Sequence, residues 1–207
     1  SNNLTESDIS VDSPTNNFCT WNAADDIGGT LSEGNLKWVS ALNTRVRGTM
    51  AVSSGKWYWE TCRTVINSGY HSGIAVEGYD NDYAGYNDHA YMLYAGSYLY
   101  AKPNSIVGLN FAWGAGTAND VIQVALDMDN NKIWFGKNGT WYNSGNPATG
   151  ANATTTILTT HKGATPLSAG NGGTTVHNFG QDSSFAGNKT AQGNQDGNDI
   201  GDFYYTP

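Results

Sequence analysis

The segment 78–89 (GYDNDYAGYNDH) concentrates side chains that could bind a ligand. Five of them are the candidate contacts: Tyr79, Tyr83, Tyr86, Asp88 and His89. Tyrosine presents a flat apolar ring and a hydroxyl at low entropic cost, and Asp and Asn oxygens accept hydrogen bonds from ligand hydroxyls. The segment therefore predicts a binding loop for a glycan or a protein. Rings that fold back on the body of the protein would give the same composition, so both interpretations stay open.

Two tryptophans near the end of a predicted hairpin are further candidates. Trp141 follows the hairpin in a loop and is included among the predicted ligand contacts. Trp134 alternates with Ile133 and Phe135, so it must point to the opposite face of its strand. Each indole could serve as a ligand platform, but a half-buried packing role is the favoured interpretation for both.

The acidic residues do not form the pattern expected of a glycan-cleaving enzyme. Such an enzyme needs two carboxylates that flank the scissile bond, and related sandwich glucanases carry them as alternating acids on one strand. Asp127 and Asp129 alternate, but they lie at a predicted hairpin turn, where capping and solvation explain them. Glu60 is a lone strand acid, for which a structural ion pair or hydrogen bond is expected. We therefore predict that the chain is not an enzyme.

Metal and cofactor sites are not predicted either. The stretch 127–131 begins like a calcium loop but lacks the glycine and the closing glutamate of such a loop. The stretch 196–202 has several side chains with oxygen atoms, but a plain turn is the favoured interpretation. The four histidines (71, 89, 161 and 177) are far apart in sequence and predict no ligand pair. Cys19 and Cys62 match no zinc spacing, and two buried free thiols are favoured over a disulfide.

Composition narrows the class of partner. The net charge is −8, and the ten Lys and Arg residues are scattered, so no basic patch could neutralise a nucleic-acid backbone. Anionic membrane surfaces are disfavoured for the same reason, and no apolar run is long enough to span a bilayer. Charged residues make up only 14% of the chain and glycine is frequent, which indicates many short strands separated by turns.

Apolar residues recur at strand spacing from Phe18 onward, and no segment has a convincing helical period. The predicted strands are 44–52, 56–66, 72–77, 90–101, 105–111, 121–128, 131–137, 154–159, 164–169 and 174–179. The clearest pattern is 121–137, a β-hairpin in which Ile133 and Phe135 should pack across from Leu126 and Val124. Residues 1–17 are predicted to be an arm or linker, 18–186 the sandwich and 187–207 a tail that wraps the outside.

Four segments in order resemble the SPRY domain family. They are SSGKWYWET at 53–61, GIAVE at 73–77, ALDMDNNKIWFGKNGTW at 125–141 and HNFGQDSSF at 177–185. This resemblance implies an all-β, concanavalin A-like jelly roll of two antiparallel sheets with little or no helix. It also implies recognition of partners through loops, without a shared catalytic activity. At position 123 this chain has glutamine where the family often has glycine. A large polar side chain there suggests that this face of the strand is locally hydrated or is covered differently from that of the family.

The segments 138–150, 185–190 and 200–207 resemble more closely the SPRY domains of bacteriophage virion proteins. This resemblance implies a module on the virion surface, in a tail or associated with the capsid. The start at Ser1 and the abrupt stop at Thr206-Pro207 predict a piece or processed form of a longer chain. The first hypothesis is binding of a host-surface glycan or protein. The second is a decoration or connector role with other virion proteins as partners, and the third, glycan cleavage, is disfavoured. The sequence leaves open whether the chain forms a homo-oligomer.

Overall fold

The computed structural model describes residues 17–67, 69–79, 89–94, 98–101, 106–110 and 116–207. Its strands are β1 (Thr30–Ser32), β2 (Lys37–Ser40), β3 (Thr44–Arg47), β4 (Lys56–Val65), β5 (His71–Val76), β6 (Ala90–Tyr94), β7 (Tyr98–Ala101), β8 (Ile106–Asn110), β9 (Val121–Asp127), β10 (Lys132–Lys137), β11 (Thr140–Trp141), β12 (Thr155–Thr156), β13 (Ala164–Gly170) and β14 (Gly173–Asn178). A short 3-10 turn, Tyr142–Ser144, follows β11. None of the helical segments in these described ranges has the length and apolar character that a membrane crossing requires.

The strands form two antiparallel sheets. In the first sheet the order is β1-β2-β14-β4-β9-β10-β11, with β12 also paired to β10, and in the second sheet it is β3-β13-β5-β6-β7-β8. The predicted all-β sandwich is therefore confirmed. The short strands β1, β2 and β11 were missed, and the predicted strand 90–101 is wrong as a single unit, because Tyr94 pairs with Tyr98 across a reversal of the chain.

The predicted hairpin is confirmed residue by residue. Ile133 pairs with Leu126 and Phe135 pairs with Val124, and all four side chains belong to the core between the sheets. The alternation works because successive side chains on a strand point to opposite faces. A second tight turn, Asn138-Gly139, joins β10 to β11, and both residues have the positive φ that a two-residue hairpin turn needs.

The opposite face of β9 is not half-exposed, as the alternation alone suggested. Gln123, Ala125 and Asp127 are all buried. They are covered by the segment that follows β14 and by the loop after β11, in which the carbonyl of Ala151 accepts a 2.8 Å hydrogen bond from Trp134 Nε1. The first sheet thus has a second buried layer on its outer face.

Two buried histidines belong to the structural framework. His177 lies in the core with its two ring nitrogens 2.9 Å from the Thr61 hydroxyl and 2.8 Å from the Thr175 hydroxyl. His71 is buried in the second sheet, with its ring 4.6 Å from that of Tyr94. Burial lowers the pKa of each to about 3, so both are neutral at pH 7.

Candidate functional site

One end of the sandwich brings together the start of β4, the last residue of β5, the residue before β6 and the first residue of β13. We call it the binding end, and define it by Val52, Trp57, Val76, His89 and Ala164. Val52 bridges Ala164, with backbone hydrogen bonds of 2.8 and 2.7 Å, and Ala164 pairs with Val76. Two strand spacings separate Val52 from Val76, or about 10 Å. The segment 77–89 starts directly after Val76, so it begins at this end.

A groove of about 700 Å³ opens at the binding end and continues onto the outer face of the first sheet. Its wall at the binding end is mainly apolar and includes Phe18, Cys19, Met50, Val52, Trp57, Trp59, Ala164, Pro166 and Phe179. Trp57 stands out because 45% of its surface is exposed, whereas Trp59, two residues later, is buried in the core. The Trp57 indole is oriented by a 2.8 Å hydrogen bond from Nε1 to the carbonyl of Ser54.

Sequence reasoning did not select Trp57. The signal was present in the Gly-Lys-Trp-Tyr-Trp run, where the first tryptophan of an alternating pair lies next to a predicted turn. A core-facing position at the extreme end of a strand lies at the rim of the sandwich, so its side chain can remain open to solvent.

The prediction for Tyr79 needs correction. Its ring is only 8% exposed and packs in the apolar cluster on the outer face of the second sheet, so it offers little surface to a ligand. The guanidinium carbons of Arg45 and Arg47 lie 5.5 and 5.8 Å from the ring centroid. Tyr79 is therefore a packing residue of the outer face of the second sheet. Tyr83, Tyr86 and Asp88 lie outside the described residues.

The two arginines above Tyr79 are held by one carboxylate. Asp25 accepts hydrogen bonds of 2.7 Å from Nε of Arg47 and 3.2 Å from Nη1 of Arg45. Burial alone raises the pKa of Asp25, but the hydrogen bonds from Arg47 and the charges of both arginines outweigh it, so the pKa lies below its usual value. The cluster stays ionised near neutral pH and fixes this edge of the second sheet.

His89 does lie at the binding end, immediately before β6. Its half-buried ring is 5.1 Å, centroid to centroid, from the ring of His161, which lies in the connection between β12 and β13. The fold thus brings together two histidines that lie 72 positions apart in the sequence, a proximity that their spacing does not predict.

Trp141 lies elsewhere. It belongs to β11 at the edge of the first sheet, where its half-buried ring packs 6.3 Å from Tyr58 and covers Gly136. A Cβ on Gly136 would lie 3.0 Å from the indole. The described contacts of the predicted loop, Tyr79 and His89, flank strands of the second sheet, so Trp141 lies on a different sheet from these two.

The outer face of the first sheet is closed by the C-terminal tail clasp, which we define as residues 200–207 together with Glu60. Glu60 is fully buried, and its carboxylate accepts hydrogen bonds from the backbone N–H groups of Tyr204 and Tyr205 at 2.8 and 2.7 Å. The Tyr58 hydroxyl and Asn178 Nδ2 donate two more, at 2.8 and 3.2 Å. Burial raises the pKa of Glu60, and the four donors oppose this shift.

Gln123 extends the same polar layer. Its Nε2 donates to the Tyr58 hydroxyl at 3.2 Å, and its Oε1 accepts the Gly139 N–H at 2.7 Å. The resemblance suggested that glutamine in place of glycine marks a face that is either hydrated or covered differently. The structure supports a different covering, because the Gln123 side chain is only 1% exposed. Glu60 has the structural hydrogen-bonding role expected of it.

Cys19 and Cys62 are both buried and free, in agreement with the favoured interpretation. Among the ranges that the structure describes, no group of three or more His, Cys, Asp or Glu side chains could hold a metal ion. Asp127 accepts hydrogen bonds from the backbone and side-chain nitrogens of Asn130 at 3.0 and 2.9 Å, which is the predicted capping of the turn. Its 3% exposure contradicts the predicted solvation.

No family model matches the chain, and no curated protein matches it. Among solved structures, the SPRY domain of human HERC1 has a similar fold, with a TM-score of 0.54 over 76% of this chain and 96% of that chain. The two sequences are 16% identical. The chain therefore has a SPRY-type β-sandwich fold.

Proposed function

We propose that this chain is a non-catalytic recognition module that binds its partner at the binding end of the sandwich. The observation that carries the proposal is the apolar groove at that end, with Trp57 45% exposed in its wall. An exposed tryptophan beside a recess provides a large rigid contact area, and binding energy concentrates in such anchors.

The position of segment 77–89 supports the same location. It begins at Val76, about 10 Å from Val52 in the groove wall, and ends at His89 on the neighbouring strand. A partner that contacts Val52 in the groove therefore lies about 10 Å from Val76, after which the tyrosine-rich segment begins. Tyr83 and Tyr86 remain candidate contacts of this surface.

The acids of the first sheet favour recognition over catalysis. Glu60 pairs with Gln123, and Asp127 lies four residues further along β9, about 13 Å away. Glycosidases place their two carboxyl groups about 5 to 9.5 Å apart. Both carboxylates also accept bonds from backbone and side-chain donors of the fold, which leaves them poorly placed as a catalytic pair.

The partner that we propose is a host-surface glycan or protein, and the proposed location is the surface of a phage virion. The resemblance of segments 138–150 and 200–207 to phage virion proteins supports this context. A decoration or connector role is the second candidate. It is favoured by an apolar strip at the opposite end of the first sheet, where Val39 and Val65, 41% and 57% exposed, both pair with Thr174.

The test compares Trp57→Ala with Tyr98→Ala, which removes an exposed aromatic ring, 38% accessible, from the opposite end of the second sheet. Labelled chain is applied to a glycan array and to a panel of fixed bacterial cells. Trp57→Ala should weaken binding at least about tenfold, as expected for an aromatic anchor, while Tyr98→Ala stays within about twofold.

Both variants should keep the melting temperature within a few degrees, so that a loss of binding is not a loss of fold. Equal binding by Trp57→Ala and the parent chain would refute the proposed location. A parent chain that binds neither the array nor the cells, but binds virion proteins in a manner lost on Val39→Asp and Val65→Asp, would favour the connector role.

A further inference from the structure

An open pocket of about 380 Å³ lies beside the groove, on the outer face of the second sheet. The bridge between Val52 and Ala164 separates the two recesses, because these two residues line the groove, whereas their chain neighbours Ala51 and Thr165 line the pocket. Several of the residues that line the pocket are alanines and glycines. A Cβ on Gly163 would meet no atom of the described residues within 4 Å. The pocket therefore has space for a ligand group next to the binding end.

Two cationic side chains line this pocket. They are Arg47 of β3, whose side chain is 31% exposed, and Lys162 in the connection between β12 and β13, which is exposed. The carbonyl of Lys162 accepts a 3.2 Å hydrogen bond from the Glu77 N–H, which ties the Lys162 backbone to the turn after β5. The fold thus brings two of the ten basic residues to one recess, although they are far apart in the sequence.

The Arg47 guanidinium is oriented by Asp25 before any ligand binds. Its Nε and Nη2 each donate a 2.7 Å hydrogen bond to the two carboxylate oxygens of Asp25. These bonds leave Nη1 without a partner among the described residues. A guanidinium has five N–H donors in a rigid fork, so the donors that remain can bind an oxyanion. Because the side chain is already held, binding costs less conformational entropy.

The charges around the pocket leave a positive excess. Asp25 has one negative charge and serves two arginines, since Arg45 Nη1 also donates to it at 3.2 Å. Lys162 and Glu77, both exposed, contribute one charge of each sign. One positive charge therefore remains among the described groups, in a chain whose net charge is −8. A ligand group of negative charge is the one that such a site favours.

The ridge between the groove and the pocket favours a glycan over a peptide. The backbone N–H and carbonyl of Val52 both bond to Ala164, at 2.8 and 2.7 Å, so they offer no partner to a peptide that crosses the ridge. Amide groups of such a peptide would stay unpaired there, which is costly. A sugar ring can place its apolar CH face on an indole such as that of Trp57, while the hydroxyls at its rim remain in water.

We propose that this pocket is a subsite for an oxyanion, a carboxylate or a phosphate, of an acidic glycan that has a further sugar against Trp57. Arg47 and Lys162 donate to the oxyanion from two different elements of the second sheet's outer face. This inference rests on the proposed function, because it names the class of ligand that is bound at the same end of the sandwich.

The first experiment titrates the chain with sodium phosphate and with sodium acetate at constant ionic strength. The NMR signals of the Gly163 and Thr165 amides should shift and saturate, and the ion that saturates them at the lower concentration identifies the oxyanion. In Lys162→Gln the apparent Kd should rise about two- to fivefold, as expected for one exposed ion pair. Lys162 is the residue to change because it is exposed, whereas Arg47 also holds Asp25.

The matched control is Lys37→Gln, which removes the same charge from β2 in the first sheet and should leave the apparent Kd within about 1.5-fold. Amide shifts that saturate with neither ion would overturn the subsite. Equal weakening by Lys37→Gln would also overturn it, because the effect would then come from the net charge of the chain.

The second experiment uses a glycan array that includes uronic acid polymers and their carboxyl-reduced, neutral forms. The acidic form should bind more tightly than the neutral form, and Lys162→Gln should weaken the acidic form about two- to fivefold and leave the neutral form unchanged. A parent chain that binds no acidic glycan, or binds both forms equally, would refute the assignment. Binding to cells that survives periodate oxidation of their glycans, but falls in Lys162→Gln, would assign the pocket to an acidic protein and refute the glycan.

The subsite and the proposed function can fail separately. Binding of an acidic glycan that falls in Lys162→Gln but is unchanged in Trp57→Ala would refute the groove as the binding site and support the subsite. Binding that falls in Trp57→Ala but is unchanged in Lys162→Gln would refute the subsite and support the proposed function.

Discussion

Replacing Glu60 by glutamine should release the C-terminal tail clasp from the first sheet. The carboxylate accepts four hydrogen bonds, two of which come from the backbone of Tyr204 and Tyr205. A glutamine of the same shape has one acceptor oxygen and an NH2 group. Whichever way the amide is oriented, its NH2 faces donors that the carboxylate now satisfies.

The magnitude follows from the bonds lost. A hydrogen bond to a charged group contributes about 1.5–3 kcal/mol, so losing two would cost about 3–6 kcal/mol. Part of this cost is offset because glutamine is uncharged and the burial of the Glu60 charge is itself unfavourable. The raised pKa of Glu60 reflects the same unfavourable burial. We expect a net destabilisation of the clasp of about 2–3 kcal/mol, or a roughly 30- to 150-fold larger population of the open form.

Cys62 reports this opening. It is fully buried in the cluster that Phe185 forms with Tyr204 and Tyr205, and burial raises its pKa to about 11. The closed form should therefore react with an aromatic disulfide reagent only through opening. In a Cys19→Ala background, the labelling rate at pH 8 should rise at least about 30-fold in Glu60→Gln.

Glu33→Gln is the matched control, because Glu33 is exposed in the turn between β1 and β2 and its replacement should leave the rate within about twofold. A labelling rate in Glu60→Gln that stays within about twofold of the parent would show that the clasp does not depend on the carboxylate. If Glu33→Gln raised the labelling rate of Cys62 as much as Glu60→Gln does, the reagent would be reporting a general effect of the lost charge and not the opening of the clasp.

Three further predictions concern the core, pH and the ligand. Leu126→Ala should lower the free energy of unfolding by about 2–5 kcal/mol in chemical denaturation, because Leu126 is 2% exposed between the sheets, and a loss below about 1 kcal/mol would contradict that placement. For His71 and His177 the folded pKa of about 3 lies below the unfolded value near 6.5, so the unfolded chain binds the extra protons and stability falls as the pH drops from about 6.5 to 3. Each should cost about 2 kcal/mol at pH 5, and a free energy of unfolding that stays constant from pH 7 to 5 would refute neutral burial. Tyr83→Ala and Tyr86→Ala should each weaken ligand binding by about 1–3 kcal/mol with the melting temperature unchanged, and a lowered melting temperature with intact binding would assign those rings to packing.

The parts of the fold that the sequence predicted are those determined by local pattern. The register of Leu126 with Ile133 follows from two alternating strands and a short turn, all within a few positions of each other. The strand β2 was missed because only four residues pair, and its polarity does not alternate with burial: Val39 is exposed, whereas Ser40 is buried. A period of two also cannot show whether the second face of a strand is covered.

The candidate site depended on contacts that no local pattern contains. The bond between Glu60 and Tyr204 joins residues 144 positions apart, and it converts a face predicted as half-exposed into a buried layer. The approach of His89 to His161 likewise depends on the pairing of β5 with both β6 and β13. Composition did select segment 78–89, but it could not separate Tyr79, which packs on the outer face of the second sheet, from its neighbours.

The tail clasp also limits where a partner can bind. A sandwich has two outer faces and two ends, and in this chain the central part of the first sheet's outer face is occupied by residues 200–207. A ligand of that face would have to displace a buried carboxylate from four donors, at a cost of about 2–3 kcal/mol or more before any contact is made. The groove at Trp57 requires no such displacement, because its wall is already open. Recognition at the binding end, where Val52, Trp57 and Ala164 form the wall, is therefore the arrangement that leaves the clasp closed.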